Sequence, residues 1–146
     1  GLDGNIKLVK YLVKHGATAK INEALISASY KGCIKIVKYL VKHGAKVSAQ
    51  DNDPLISASY GGNIKVIKYL VEHGADVSAQ DNEALVENVG EGKASLEIVK
   101  YLLEHGADIS ARDNQALLNA SFYGYLEIVK YLVEHGADVS AQDNKA

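Results

Sequence analysis

A twelve-residue phrase recurs five times in the chain and constrains its fold more than any other feature. Every copy contains the tripeptide Lys-Tyr-Leu and ends in His-Gly-Ala. The lysines of these tripeptides are separated by 28, 30, 32 and 30 residues. A regular period near thirty residues predicts a stack of similar units, each burying its apolar face against its neighbours. The copies span 6–17, 34–45, 64–75, 96–107 and 126–137.

Each copy of the phrase has the apolar spacing of an amphipathic helix. In the second copy, Ile34, Val37, Leu40 and Val41 fall on one face, with lysines on the other. A glycine after the last turn can adopt the left-handed conformation that ends helices, and the histidine before it can serve the exposed carbonyl groups. The phrase therefore predicts a helix that stops at its His-Gly pair.

A shorter apolar segment before each of the last four phrases predicts a second set of helices. Each segment opens with asparagine and an acidic or polar residue, which are types that cap free N–H groups at helix starts. Pro54 fits the first position of such a helix, and Leu25, Ile26 and Ala28 give a narrow inward face. We therefore expect an all-α solenoid of stacked helix-turn-helix repeats. The short segments are 22–32, 52–62, 82–92 and 114–124.

Charge is distributed unevenly along the 146 residues, although the net charge is only −2. Residues 1–50 hold nine lysines and two acids, giving +7, and residues 51–146 hold seven basic and sixteen acidic residues, giving −9. The basic first third favours an acidic partner surface. The single cysteine excludes an internal disulfide, and no apolar run approaches the ~18 residues that a membrane span needs.

The stretch from Val86 to Glu97, VENVGEGKASLE, has the glycines and lysine of a phosphate-binding loop. That motif requires a glycine five residues before Gly92 and a serine or threonine after Lys93, and it follows a strand. The chain has Glu87 and Ala94 at those positions, after a predicted helix. We therefore interpret the stretch as a turn lengthened by two residues, while a contact between this extended loop and a partner stays open.

The repeats resemble those of ankyrin repeat proteins over essentially the whole chain. The resemblance rests on GADVSAQD at 74–81, on the Ile-Val-Lys-Tyr-Leu core, and on Asp53-Pro54-Leu55 in place of Thr-Pro-Leu. A thirty-residue unit is about three residues shorter than the ~33 usual for the family, so the resemblance implies shortened β-turn fingers. This shortened style is similar to the ankyrin arrays of giant viruses and amoebae. The near-identity of 69–82 and 131–144 indicates recent duplication or design.

The repeat boundaries follow from this alignment. The chain begins at a second helix and ends where a new unit would start, so we expect a piece of a longer array. The single cysteine fits an intracellular, cytoplasmic setting, which is the host cytoplasm if the chain is viral. The expected units are a partial repeat at 1–21, full repeats at 22–51, 52–81, 82–113 and 114–143, and the start of a further repeat at 144–146.

The resemblance implies a non-catalytic module that binds a partner protein through the concave groove of the array. Aromatic residues that differ between repeats are natural interface anchors, and the finger tips should be exposed. The alternatives are that the rings only pack between neighbouring short helices and that the finger residues only stabilise turns. The predicted partner-binding residues are Tyr30, Lys31, Gln50, Asp51, Tyr60, Gln80, Asp81, Arg112, Asp113, Phe122, Tyr123 and Tyr125.

The sequence also bears on functions other than binding a partner protein. Opposite charge in the two parts of the chain and near-identical units favour head-to-tail self-association as the alternative. We expect no enzyme activity, cofactor, small-molecule substrate, membrane or nucleic-acid partner. The five equivalent histidines do not predict a metal site, because neighbouring repeats lie ~10 Å apart and a zinc ion needs ligands at ~2 Å.

Overall fold

The structure is a computed structural model that describes residues 2–141, with side chains described for residues 6–140. Within that part of the chain, nine α-helices and a short 3-10 turn at Val139–Ala141 are present, and no strand is. None of these helices is long and apolar enough to cross a membrane. The expected repeat start at 144–146 lies outside the described residues. The helices are α1 (Leu2–Lys14), α2 (Thr18–Lys31), α3 (Ile34–Lys42), α4 (Ala49–Tyr60), α5 (Ile64–Glu72), α6 (Ala79–Val89), α7 (Leu96–Glu104), α8 (Ala111–Tyr123) and α9 (Leu126–Glu134).

The helices form two parallel rows, as expected for an all-α solenoid of helix-turn-helix units. We call α2, α4, α6 and α8 the first helices, and α1, α3, α5, α7 and α9 the second helices. Each first helix packs against the second helix that follows it and against the first helices on either side. Neighbouring first helices approach one another more closely than neighbouring second helices do. The first-helix row therefore forms the inner, concave side of the array.

The core lies between the two rows and is built from equivalent leucines of successive units. Leu25 and Ala28 of the predicted inward face are buried, whereas Ile26 is half-buried. Burying one leucine stabilises the fold by roughly 2 kcal/mol, so the repeated leucines supply much of the stacking energy. The fully buried leucines are Leu25, Leu55, Leu85 and Leu117 in the first helices and Leu40, Leu70, Leu102 and Leu132 in the second helices.

The predicted end of the second helices is confirmed. In α3, His43 Nδ1 lies 2.8 Å from the carbonyl oxygen of Tyr39, so the ring carries its proton on Nδ1 and donates it to a carbonyl at the helix end. The His43 ring stacks on the Tyr39 ring, with centroids 4.1 Å apart. Gly44 follows with φ of 102°, a conformation that favours glycine. The other four copies repeat this arrangement of histidine and tyrosine.

The invariant tyrosines also join neighbouring second helices. In four pairs, the ammonium group of a lysine on one second helix lies over the ring of the tyrosine on the following second helix, at 5.3 to 5.9 Å from the ring centroid. Such cation–π contacts contribute about 0.5–1 kcal/mol each at exposed sites. The invariance of Lys-Tyr-Leu therefore has a structural explanation. The pairs are Lys10 with Tyr39, Lys38 with Tyr69, Lys68 with Tyr101, and Lys100 with Tyr131.

The shortened finger is a left-handed turn of three residues at the start of a first helix. In α4, Gln50, Asp51 and Asn52 have φ of 49°, 56° and 67°, and the right-handed helix continues from there. Left-handed residues other than glycine cost roughly 1 kcal/mol each, and asparagine and aspartate tolerate this conformation best. Pro54 is buried in the first right-handed turn, as its position predicted. The same turn occurs at 80–82 and 112–114.

The predicted capping role of the asparagines at the start of the short segments is wrong. None of α2, α4, α6 and α8 has a side-chain cap. Instead, the Asn52 side-chain oxygen accepts a hydrogen bond from the backbone N–H of Asp76, at 2.9 Å, in the connector after α5. The asparagine therefore joins its own first helix to the connector that follows the next second helix. Equivalent bonds run to Asn22, Asn82 and Asn114 from the N–H groups of Lys46, Asp108 and Asp138.

Candidate interaction surface

Three of the predicted binding residues come together at the C-terminal ends of α2 and α4. The rings of Tyr30 and Tyr60 stack with centroids 5.9 Å apart and an interplanar angle of 27°. Tyr30 is 52% exposed and Tyr60 is half-buried. Together with Lys31, Glu91 and Lys93 they line an open cleft of about 380 Å³. The rings therefore pack between neighbouring first helices and also leave aromatic surface on the concave side.

A second aromatic cluster lies at the end of α8. Phe122 is 82% exposed, the most exposed large apolar side chain among the described residues. Its ring meets that of Tyr123 edge to face, with centroids 5.0 Å apart. Tyr123 in turn stacks on Tyr125 at 5.7 Å. An exposed phenylalanine backed by two tyrosines is the kind of rigid apolar anchor that protein interfaces use.

The predicted finger residues form a separate row, and two of them bond to the finger before them. Gln80 Nε2 donates to the carbonyl oxygen of Asp51 at 2.9 Å. Arg112 donates to the carbonyl oxygens of Gln80, at 2.6 Å, and Asp81, at 3.1 Å. Its guanidinium group also lies 3.7 Å from the Asp81 carboxylate. Gln80 and Arg112 thus stabilise the row of fingers, which supports the alternative reading for these two residues.

The remaining predicted finger residues, Gln50, Asp51, Asp81 and Asp113, are exposed at the tips. The structure thus groups the predicted residues into two aromatic clusters and one polar row. Their binding role stays a prediction.

The stretch from Val86 to Glu97 comprises the end of α6, a lengthened turn at 90–95 and the start of α7, and this confirms the predicted turn between two helices. Asn88, which the sequence analysis overlooked, is fully buried and organises this turn. Its side-chain amide donates to the carbonyl oxygens of Ser59, at 2.8 Å, and Lys93, at 3.0 Å, and its oxygen accepts from the N–H of Ser95. The two added residues are therefore fastened to α4, the preceding first helix. The available signal was an asparagine at a position where Ala28, Ala58 and Ala120 stand in the other units.

A row of carboxylates separates the two aromatic clusters. We define the acidic stripe as Glu83, Glu87 and Glu91, which are spaced four residues apart on α6 and just after it. Glu91 borders the cleft of Tyr30 and Tyr60. The spacing of four was visible in the sequence, but only the fold shows that the stripe lies on the concave row between the two clusters.

The positive charge of residues 1–50 lies mostly away from this surface. Lys35, Lys38 and Lys42 belong to α3 in the outer row and are exposed there. The first-helix side of the same region carries Lys20 and Lys31. The expectation that a basic first third favours an acidic partner therefore does not apply to the concave face, because helical periodicity places most of these lysines on the convex side.

Within the acidic stripe, the pKa of Glu87 is raised, chiefly by burial and further by the negative charges of Glu83 and Glu91. The folded state therefore holds the Glu87 proton more tightly than the unfolded state does. Stability gained from protonation appears as the pH falls through the folded pKa and levels off below the unfolded one. At neutral pH the ionised carboxylate is a liability to the fold.

We expect Glu87→Gln to raise the free energy of unfolding at pH 7 by about 0.5 kcal/mol, a small value because the side chain is partly solvated. The gain should shrink toward zero as the pH drops to about 4, where the wild-type carboxyl group is also neutral. Urea unfolding of both proteins at several pH values measures the difference. A gain that persists unchanged at acidic pH would show that the removed charge is not its cause.

The described residues of this surface form no metal site. In the part of the chain that the structure describes, no three His, Cys, Asp or Glu side chains come together in a group able to hold a metal ion. The histidine rings are engaged with the tyrosine of their own helix, as in α3. What the surface offers is open aromatic area and carboxylates.

Comparison with known proteins agrees with this architecture. A family model described as ankyrin repeats, in three copies, matches residues 2–81 and 83–143. A search of curated proteins gave no match.

Proposed function

The chain belongs to the ankyrin repeat family, and we propose that it binds a partner protein through the concave row of its first helices, without catalysis. Ankyrin repeats are generally protein-interaction modules. The observation that carries the proposal is the exposed aromatic surface at the first-helix ends, above all Phe122 at 82% exposure. Truncating such an anchor in an interface commonly costs 2 kcal/mol or more of binding energy, roughly thirtyfold in affinity.

The predicted repeat boundaries are part of this proposal. Each of the full units 22–51, 52–81, 82–113 and 114–143 contributes one first helix to the row, and the described fingers lie at 50–52, 80–82 and 112–114. Units two, three and five supply the aromatic rings Tyr30, Tyr60 and Phe122, and unit four, 82–113, which lies between units three and five, supplies the acidic stripe. Shared positions serve stacking, so we assign binding to the positions at which the units differ.

A capture experiment with matched variants tests the proposal. Wild-type protein is compared with a groove variant, Tyr30→Ala with Phe122→Ala and Tyr123→Ala, and captured proteins are quantified by mass spectrometry. We expect specific partners to fall at least about tenfold with the groove variant. The matched control removes exposed apolar side chains from the second helices, Leu8→Ala with Tyr11→Ala and Val133→Ala, all at least 41% exposed.

The control should capture the same partners as the wild-type protein. Equal capture by the groove variant would move the site to the fingers or the convex face, and loss with the control alone would place it on the second helices. Unchanged far-UV circular dichroism of all three proteins ensures that binding, not folding, is compared.

Head-to-tail self-association is a second candidate, which the exposed side chains of α9 favour. Leu126 is 60% and Val133 is 41% exposed on α9, whereas their counterparts Ile64 and Val71 pack against the core. A molecular mass that rises with concentration in light scattering would support this role. A constant monomer mass would exclude it.

A further inference from the structure

Building on the proposed function, we propose that the concave face binds an extended segment of a partner protein that carries lysine or arginine at its centre and apolar side chains on either side. The basic residues would lie against the acidic stripe, Glu83, Glu87 and Glu91. The apolar residues would lie on Tyr30 and Tyr60 at one end and on the Phe122 cluster at the other. The inference names the partner class of the same surface.

The first support is the lack of compensating charge. The described residues form four ion pairs with nitrogen–oxygen distances up to 4 Å, and none of these pairs involves a carboxylate of the stripe. Arg112, the cation whose charge acts on Glu87, donates its hydrogen bonds to Gln80 and Asp81 instead. Lys31 and Lys93 line the cleft that Glu91 borders, but neither forms an ion pair with it, so these carboxylates remain available to a cation of a partner.

The second support is that this arrangement is unfavourable for the free protein. Glu87 is half-buried and lies close enough to Glu83 and Glu91 for their charges to disfavour its ionised form. A partner cation at this position would relieve the repulsion that the fold bears alone. Complementary charge of this kind increases both the rate and the selectivity of association.

The third support is the placement of the aromatic rings on both sides of the stripe. Tyr60 is on α4 and Phe122 is on α8, the two first helices that flank α6. Helices that pack side by side lie ~10 Å apart, so the two clusters are separated by roughly 20 Å. An extended segment of about six or seven residues spans that distance. Exposed tyrosine faces also accept cations, which favours lysine or arginine over neutral polar residues.

Two other occupants fit less well. A nucleic acid or another polyanion would meet the carboxylates of the stripe and be repelled by them. A second copy of the chain could present the lysines of its α3 to the stripe, but α3 is a rigid helix, whereas the two clusters and the Glu91 end of the stripe lie across three helices. The test below distinguishes the second copy by its effect on mass.

The experiment uses a phage library that displays random dodecapeptides, selected on the whole chain at low salt. Three proteins are compared: wild type, a stripe variant with Glu83→Gln, Glu87→Gln and Glu91→Gln, and a control with Glu72→Gln, Glu104→Gln and Glu134→Gln. The control changes the net charge by the same amount, but its residues are exposed at the ends of second helices. Light scattering of each protein monitors self-association.

We expect peptides enriched on the wild type and on the control to carry net positive charge with flanking apolar residues. Synthetic versions of these peptides, measured by fluorescence anisotropy, should bind the stripe variant at least about tenfold more weakly. Their affinity for the wild type should fall with added salt.

Each other outcome would refute a defined part of the proposal. Enriched peptides that are neutral or acidic, but are lost with the Tyr30 and Phe122 substitutions, would leave groove binding standing and refute the basic partner. Basic peptides bound equally by the stripe variant would refute the stripe as their site. No enrichment on any protein would refute the extended segment and leave the proposed function to the capture experiment, and oligomers that dissociate only in the stripe variant would replace the partner segment with a second copy of the chain.

Discussion

We expect Asn88→Ala to lower the free energy of unfolding by about 3 kcal/mol, because buried polar groups left without partners cost 1–3 kcal/mol each. The substitution restores the residue of the other units, Ala28, Ala58 and Ala120, and is well suited to a helix. It nevertheless removes one hydrogen bond to α4, at the carbonyl oxygen of Ser59, and two to the lengthened turn, at the carbonyl oxygen of Lys93 and the N–H of Ser95. Urea unfolding followed by circular dichroism measures the change.

A matched control for this prediction is Asn119→Ala on α8. Asn119 is half-buried, and its amide donates to the Val86 carbonyl oxygen across a longer distance, 3.4 Å. We expect this control to lose less than about 1 kcal/mol, the usual worth of a solvated hydrogen bond. If Asn88→Ala loses no more than Asn119→Ala, the turn does not depend on Asn88.

Gly61→Ala should have an effect of similar size, although the backbone of Gly61 is ordinary. Its φ of −74° and ψ of −9° suit alanine. A Cβ atom there would overlap the backbone carbonyl oxygen of Tyr30 and lie 2.7 Å from Asn63 Nδ2. That amide donates to the same carbonyl oxygen at 2.7 Å, so neither atom can move without loss. Forcing α2 and α4 apart should cost about 2–3 kcal/mol, the range for overpacked sites.

Gly124→Ala on α8 separates the steric explanation from a conformational one. Gly124 has φ of 73° and nothing within 4 Å of its hypothetical Cβ, so alanine there meets strain but no neighbour. Its expected loss is about 1 kcal/mol, measured by the same urea titration. Losses of equal size at the two glycines would contradict a close approach of α2 to α4. A shift in the ring contact of Tyr30 with Tyr60, visible in near-UV circular dichroism, should accompany Gly61→Ala alone.

Both predictions concern contacts between units, and this is where the sequence analysis was least informative. Lys31 and Tyr123 occupy the position of Gly61 in other units, and nothing in the sequence shows why Gly61 has no side chain. The reason is the carbonyl group of Tyr30 on the preceding first helix. In the same way, the asparagines that begin the short segments looked like helix caps, but Asn52 serves the connector that follows α5.

The proposed binding surface likewise combines residues that the sequence predicted with residues that only the fold brings together. The aromatic residues were found from the differences between units, and their exposure at Tyr30, Phe122 and Tyr123 agrees with that selection. The acidic stripe was missed, and the lysines of the first third were given too much weight. Net charge along a sequence carries no information about which row of helices bears it.

The helices, the residues at which the second helices end and the stacked architecture were all predictable from the sequence. These follow from local rules that act within a few residues: the apolar spacing around Leu40, the His43-Gly44 stop, and a period near thirty that makes every unit depend on its neighbours. Three features are visible only in the folded chain: which backbones touch, which connector each asparagine bonds to, and that Glu87 lies on the helix between two aromatic clusters. Those features join residues about thirty positions apart, and their geometry depends on how closely consecutive first helices approach.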